Sequence, residues 1–406
     1  MDPLSEDEII TLLKNSNCSD RQVLQILNDL KKKWGRKIVT PNIRKLLTER
    51  KTILDQFFDV EIVMFFDKDG VQKEANVTFC NDVVQFIEFV CLHRGVEIEE
   101  SDHLIGLDEG KGRFTIMYSC ISRDPDPEDF KDSGVKKSFV LACSEQVSET
   151  YDNVKILFEL IKIEKVRNVK FVCDLKMQNI LLGLTSHASK FPCPYGLCTK
   201  EKDGKWKKGE VRCFGDISKQ SELWRKETGG DRRKLKEYYN CEFSPLLPVP
   251  AEDKVLQHLP PPPLHLVDLG PVNNILHCLE SYVGDLSDCW KQIGVKREEH
   301  HGGNFNGNEV KKILAKLDVL RKFIPGSEEV RECFIECLSS VIELKKAVCA
   351  KEALPDSGKH IAKFEKAILA LNKNCGLSIT NKMHIIMHHV SDYITVTGFG
   401  LGKPSI

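Results

Sequence analysis

No apolar run in this chain approaches the length needed to cross a bilayer. The opening residues, MDPLSEDEII, lack the basic start and apolar stretch of a secretory signal. A spanning helix and export are therefore not expected. An excess of one charge is absent too: 59 Lys and Arg face 60 Asp and Glu, a formal net charge of −1. No global positive field draws the chain to nucleic acid. Internal repeats and long low-complexity segments are missing, which argues against a solenoid and against extensive disorder.

What is present is the composition of a globular protein, 41% hydrophobic and 29% charged, in 406 residues. That length exceeds one ordinary core, so two or three domains are expected. Sixteen cysteines are scattered without a regular framework. With no export signal they read as reduced thiols of cytosol or nucleus, a few of them available to metal.

Charge is uneven locally. Residues 31–51 hold nine Lys or Arg against one acid, Glu49, and residues 224–239 mix cations with aromatics. Lys31, Lys32, Lys33, Arg36, Lys37, Arg225, Arg232 and Arg233 are the candidate phosphate contacts. The plainer reading of both stretches is a solvated helix face.

Residues 1–57 read as an N-terminal helical module, with Leu12, Leu13, Val23, Leu24, Ile26, Leu27 and Leu30 on amphipathic stripes. From residue 58 the pattern changes. A strand is expected at 60–66 and a helix at 81–95. Three strand candidates follow at 103–108, 113–122 and 138–143, then a helix at 150–166, a strand at 169–173 and a further helix. Strand, strand, strand, helix, strand, helix fits an α/β, ribonuclease-H-like mixed sheet, in which a crossover sets the fourth of these strands beside the first. Asp108 and Asp174 then end neighbouring parallel strands. Two such carboxylates repel each other and favour a divalent cation between them, and paired Mg²⁺ ions can activate water for phosphodiester cleavage. The competing readings are local. Asp174 suits a helix N-cap, and the residues from Asp108 to Gly112 suit a hairpin turn.

Residues 193–260 show little periodicity, and LPPPPLHLVDLG reads as a stiff connector entering a helix near Val272. Helices are expected at 309–323, 328–348 and 359–373, with HHGGNFNGNE ahead of them as a loop that caps a helix or approaches a phosphate. Cys193 and Cys198, with His384, His388 and His389 far downstream, offer the thiolates and imidazoles that tetrahedral zinc takes. The Cys-x₄-Cys spacing is looser than usual, and histidines on one helical face are common without metal.

Several segments resemble the catalytic core of the V(D)J recombinase (the recombination-activating protein) and of the Transib-type transposases, together with their transposon-derived invertebrate relatives. The resemblance is collinear over roughly residues 100–406. It is carried by GLDEGKGRFTIMYS, SFVLACSEQVSETYDNVKIL, VKFVCDLKMQNILLGLTSHASKFPC, PPPLHLVDLGPVNNIL, GGNFNGNEVKKIL and SITNKMHIIMHHVSDYI. It implies that Asp108 and Asp174 are catalytic aspartates holding Mg²⁺ or Mn²⁺. It also implies that Cys193, His384 and His389 bind Zn²⁺. Where the family has its second zinc cysteine stands Gly196, so Cys198 is the expected substitute.

The family's catalytic Glu falls just past TGFGLGKPSI, beyond Ile406, so the two-metal site is expected to be incomplete in this sequence. The implied domains are 58–192 as the first part of the core, 193–375 as a zinc-linked helical insertion and 376–406 as the histidine helix with the end of the core. The implied activity is Mg-dependent nicking and strand transfer on double-stranded DNA by a nuclear homodimer, with or without an accessory subunit and without a membrane. The alternative is a non-catalytic DNA-binding or scaffold protein that keeps the zinc-stabilised fold.

Overall fold

The computed structural model describes residues 54–94, 96–110, 112–122, 138–185, 189–202, 204–298, 303–349, 354–398 and 400–401. The expected helical module up to residue 53, including Lys31, Lys32, Lys33, Arg36 and Lys37, lies outside the described residues. The chain divides into two units, Met1–Asp59 and Val60–Ile406. In the first, the described residues 54–59 form a short helical end and the start of a strand.

The second unit is built on a six-stranded mixed sheet: β1 (Phe58–Phe66), β2 (Gln72–Cys80), β3 (Ser101–Gly110), β4 (Arg113–Ser122), β5 (Ser138–Glu145) and β6 (Val169–Val172). Their order across the sheet is β1-β2-β5-β4-β3-β6. β3, β4 and β5 form an antiparallel meander, while β6 lies parallel to β3, from His103↔Val169 to Gly106↔Val172. Residues 103–107 of β3 are buried without alternation, as expected of a central strand covered on both faces.

β2 is absent from the sequence-based expectation because its first half, Gln72-Lys73-Glu74, is polar and burial begins only toward Val77. Its signal is the turn before it. Asp67 Oδ1 accepts the N–H groups of Asp69 and Val71 at 2.9 Å, and Gly70 takes φ +78°, so the Asp-Gly pair folds the hairpin back.

Three helices flank the sheet: α1 (Val83–Arg94), α2 (Tyr151–Leu160) and α3 (Leu175–Leu181). Thr150 caps α2 by accepting the Asn153 N–H. α2 forms the crossover from β5 to β6.

The rest of the unit is mostly helical. A small hairpin, β7 (Thr199–Lys200) and β8 (Trp206–Lys207), precedes α4 (Phe214–Thr228) and α5 (Val255–His258). A one-turn π-helix over Leu264–Leu269 runs into α6 (Gly270–Val283). Then come α7 (Ser287–Ile293), α8 (Gly307–Leu314), α9 (Leu317–Lys322), α10 (Glu328–Val348), α11 (Ser357–Cys375) and α12 (Asn381–Thr397). α10 and α11 pack together, burying Phe334, Leu338 and Val341 on one and Ile361, Phe364 and Ile368 on the other.

Two expectations change here. The single helix at 309–323 breaks after Leu314, where Lys316 leaves the helical region at φ −128°, ψ 40°. α4 forms within a stretch that reads as irregular, because its buried stripe of Phe214, Ile217 and Trp224 is completed by Ser221 rather than by an apolar residue. Among the described residues no helix is long and apolar enough to cross a membrane.

Candidate functional site

The clearest constellation is assembled from two distant segments. The loop from Cys193 to Cys198 is held by antiparallel contacts with residues 210–212: Leu197 N–H donates to the Glu210 carbonyl and Arg212 N–H to that of Tyr195. Arg212 is 3% exposed, and its guanidinium donates to the carbonyls of Cys193, Phe191 and Tyr239 and to Cys241 Sγ. Its rigid fork thus ties three chain segments together behind the loop. Opposite lies α12, whose start Thr380 caps by accepting the Met383 N–H. α12 presents His384 and His389.

Cys193, Cys198, His384 and His389 are all buried, and each brings a ligand atom to within 4.8 Å of the others. Cys198 Sγ lies 3.4 Å from His389 Nε2. On the far side of that ring, Nδ1 lies 3.4 Å from Asp392 Oδ2, and Lys208 holds the same oxygen at 2.8 Å. A carboxylate behind the remote nitrogen is how metal-binding imidazoles are oriented. Both ring nitrogens of His384 are buried without a hydrogen-bond partner, while Trp206 stacks on the ring at 4.5 Å. A fully buried imidazole left unpaired is costly, and a cation in the cluster would satisfy one of its two nitrogens. The donor set is that of a closed structural site, so the cluster could hold a zinc ion.

The electrostatics agree. The Cys193 thiol and the two imidazoles beside Cys198 hold its thiol well below the usual range against burial, whereas burial pushes the Cys193 thiol up. Burial lowers His384. Burial also opposes the charge on His389, but Asp392 and Cys198 outweigh it and raise the ring above its ordinary value.

Cys198, not a residue at position 196, brings the second sulfur into the cluster. A Cβ on Gly196 would lie 3.0 Å from Cys198 Sγ and 3.3 Å from the His389 ring, so glycine there leaves room for the displaced sulfur. His388 stays outside the cluster, 4.9 Å from His384 ring to ring.

The two aspartates are placed by the sheet. Asp108 is exposed, two residues beyond Gly106 in β3, and Asp174 is half-buried, two residues beyond Val172 in β6. Asp174 is the N-cap of α3, its Oδ1 accepting the Met177 N–H at 2.8 Å. Asp108 faces Thr115 in the β3–β4 hairpin. Among the described residues neither belongs to a group of three or more closely placed metal-ligand atoms.

Three neighbours escaped the sequence reading because they belong to no spaced motif. Burial raises Glu149; Lys176 opposes this with an ion pair, while the charges of Asp174 and Glu109 add to it. Burial lowers His265, against the pull of Asp174 and Asp108. Burial also lowers Lys382, against Asp174. Asp174, Lys176, His265 and Lys382 line a cleft of about 780 Å³ together with Asn179, whose Oδ1 is buried without a hydrogen-bond partner.

Of the basic candidates, Arg232 and Arg233 line a separate hollow of about 600 Å³ with Lys190 and Lys236. Arg232 pairs with Glu242, Arg233 with Asp231, and the exposed Arg225 lies 5.2 Å over the Phe243 ring. In HHGGNFNGNE, Asn306 caps α8 by accepting the N–H groups of Asn308 and Glu309.

A family model described as a domain of unknown function (DUF8703) matches residues 130–221. That stretch contains Asp174, Cys193 and Cys198 but not Asp108, His384 or His389. No curated protein matches the chain.

Proposed function

We propose that the chain is a transposon-derived, DDE transposase- or recombinase-like protein with a ribonuclease-H-like core that acts on double-stranded DNA. The observation that carries this reading is the parallel β3–β6 pair, beyond whose paired residues Asp108 and Asp174 follow at equal steps. Their carboxylates would hold Mg²⁺ or Mn²⁺, which supplies Lewis-acid activation of water. Glu149 and Glu109 add negative charge at this edge, and Lys176 steadies Glu149. The hollow with Lys190, Arg232, Arg233 and Lys236 would contact backbone phosphates. The zinc cluster fastens α12 to the loop beside α3. A nuclear homodimer, with or without an accessory subunit, belongs to the same reading.

The test is magnesium-dependent nicking of duplex DNA, compared with Asp108→Asn and Asp174→Asn. Asparagine at 174 can still cap α3, so loss of nicking reports the charge rather than the fold. Nicking that survives both substitutions overturns the catalytic assignment.

A second reading, a DNA-binding or scaffold protein without chemistry, is favoured by the commitment of Asp174 to its cap and by the lack of a third carboxylate grouped with it among the described residues. It requires salt-sensitive DNA binding that both asparagine variants leave unchanged. No binding at low salt removes both readings.

A further inference from the structure

A second group of soft donors lies within the sheet, far in sequence from the zinc cluster. Cys91 of α1, His103 of β3 and Cys120 of β4 each bring a ligand atom to within 4.8 Å of the others. They are 1%, 6% and 0% exposed. The register makes this proximity unavoidable: His103 and Cys120 face each other directly across the β3–β4 ladder, so their side chains share one face. α1 delivers Cys91 to the same place, with its Sγ 3.6 Å from Cys120 Sγ. The edge of a tetrahedron with zinc–sulfur bonds of about 2.3 Å is about 3.8 Å.

The protonation of His103 can be read from its partners. Nε2 lies 2.9 Å from the Ile98 carbonyl oxygen, which only accepts, so Nε2 carries the proton. Nδ1 is then the bare nitrogen, and it takes the Tyr118 hydroxyl at 2.7 Å. A remote N–H anchored on a backbone carbonyl orients the inward lone pair as in a metal-binding imidazole, and a cation there would take that lone pair in place of the Tyr118 hydroxyl proton. The Tyr118 hydroxyl also lies 3.6 Å from Cys91 Sγ, so four donor atoms surround one point of the core. The plainer alternative is a dry chain of hydrogen bonds among thiols, hydroxyl and ring.

We propose that Cys91, Cys120 and His103 form a second site for a thiophilic d¹⁰ cation, zinc(II), with the Tyr118 hydroxyl as its neutral fourth neighbour. Uptake releases the two thiol protons. One divalent ion with two thiolates is neutral, which is the condition for placing it at this depth. The site joins α1 to the β3–β4 hairpin and is independent of the DNA-directed function.

Cobalt(II) titration of the full chain tests this, with bound metal measured by elemental analysis and thiolate coordination by the charge-transfer band. Two equivalents are expected for the full chain and one for Cys91→Ser/Cys120→Ser, with about half the band intensity. A variant that binds as much cobalt as the full chain overturns the proposal. Where the variant fails to fold, Cys193→Ser/Cys198→Ser decides instead, and a folded form of it that binds no cobalt overturns the proposal. Retention of one equivalent by Cys193→Ser/Cys198→Ser is the complementary expectation, and it separates this site from the first.

Discussion

Replacing Asp174 by alanine and, separately, by asparagine separates its cap from its charge. Its Oδ1 takes the Met177 N–H at 2.8 Å, the only side-chain cap of α3. Alanine removes that acceptor, and losing an N-cap costs about 1 kcal/mol, within a range of roughly 0.5 to 2. Asparagine keeps an acceptor in the same place. It gives up the attraction of a negative charge to the helix start, about 0.3–1 kcal/mol, but it also removes the repulsion that contributes to raising Glu149. The two changes oppose each other, so asparagine should stay within about 0.5 kcal/mol of the parent.

For a unit of roughly 350 residues the unfolding entropy is about 0.7 kcal/mol/K, so 1 kcal/mol moves Tm by only about 1.4 °C. Replicate calorimetry, or urea midpoints compared at constant slope, is therefore the assay. Alanine should fall below the parent and asparagine should not. Equal losses in the two variants, or none in alanine, would refute the cap argument.

Four further outcomes are expected. A zinc ion in the cluster would link residues 191 apart in the chain (Cys198 and His389), and closing such a loop restricts the unfolded chain by about 5 kcal/mol, so a strong chelator should lower the urea midpoint markedly; an unchanged midpoint counts against a bound ion. Arg212→Leu leaves three carbonyl acceptors without their donor at about 1 kcal/mol each, so a loss near 3 kcal/mol together with easier metal release is expected from denaturation and metal analysis. Arg232→Ala and Arg233→Ala should each lower the slope of log binding constant against log salt by about 1, measured by fluorescence anisotropy on duplex DNA; unaltered slopes exclude these two side chains as phosphate contacts.

The fourth outcome concerns pH. Burial lowers His265 below its ordinary value, so the folded state favours the neutral ring. Its contribution to stability is complete above about pH 6.5 and is lost as pH falls from there toward the lower folded value. Asp174→Asn removes a charge that opposes this lowering, so the His265 resonance should titrate at still lower pH, and an upward move contradicts the assignment.

The sheet's central meander and parallel partner were legible because β3 to β6 are apolar runs with clear ends. β2 was not, since half of it is polar and its strand character comes from pairing with β5. The cysteine–histidine cluster was legible as residue types at a suggestive spacing. Spacing alone left His388 as eligible as His389, and only the family resemblance singled out Cys198 and His389; the turn at Gly196 and the phase of α12 are what bring these two into the cluster. Glu149, His265 and Lys382 were invisible because no spacing links them; three separate elements bring them to Asp174. Cys91, His103 and Cys120 were hidden for the same reason, their meeting being a matter of strand register.

The cluster of Cys193, Cys198, His384 and His389 also imposes an order on biosynthesis. Between the emergence of Cys198 and that of His389 the ribosome must add 191 residues, about 10–40 s at ordinary elongation rates. For that interval the two thiols wait without their imidazoles, while the sheet strands upstream are already complete. The helices from α4 to α11 must then fold inside a loop whose far end does not yet exist. A nascent chain stalled before His384 should therefore present Cys193 and Cys198 to alkylating reagents, and a completed chain supplied with zinc should not.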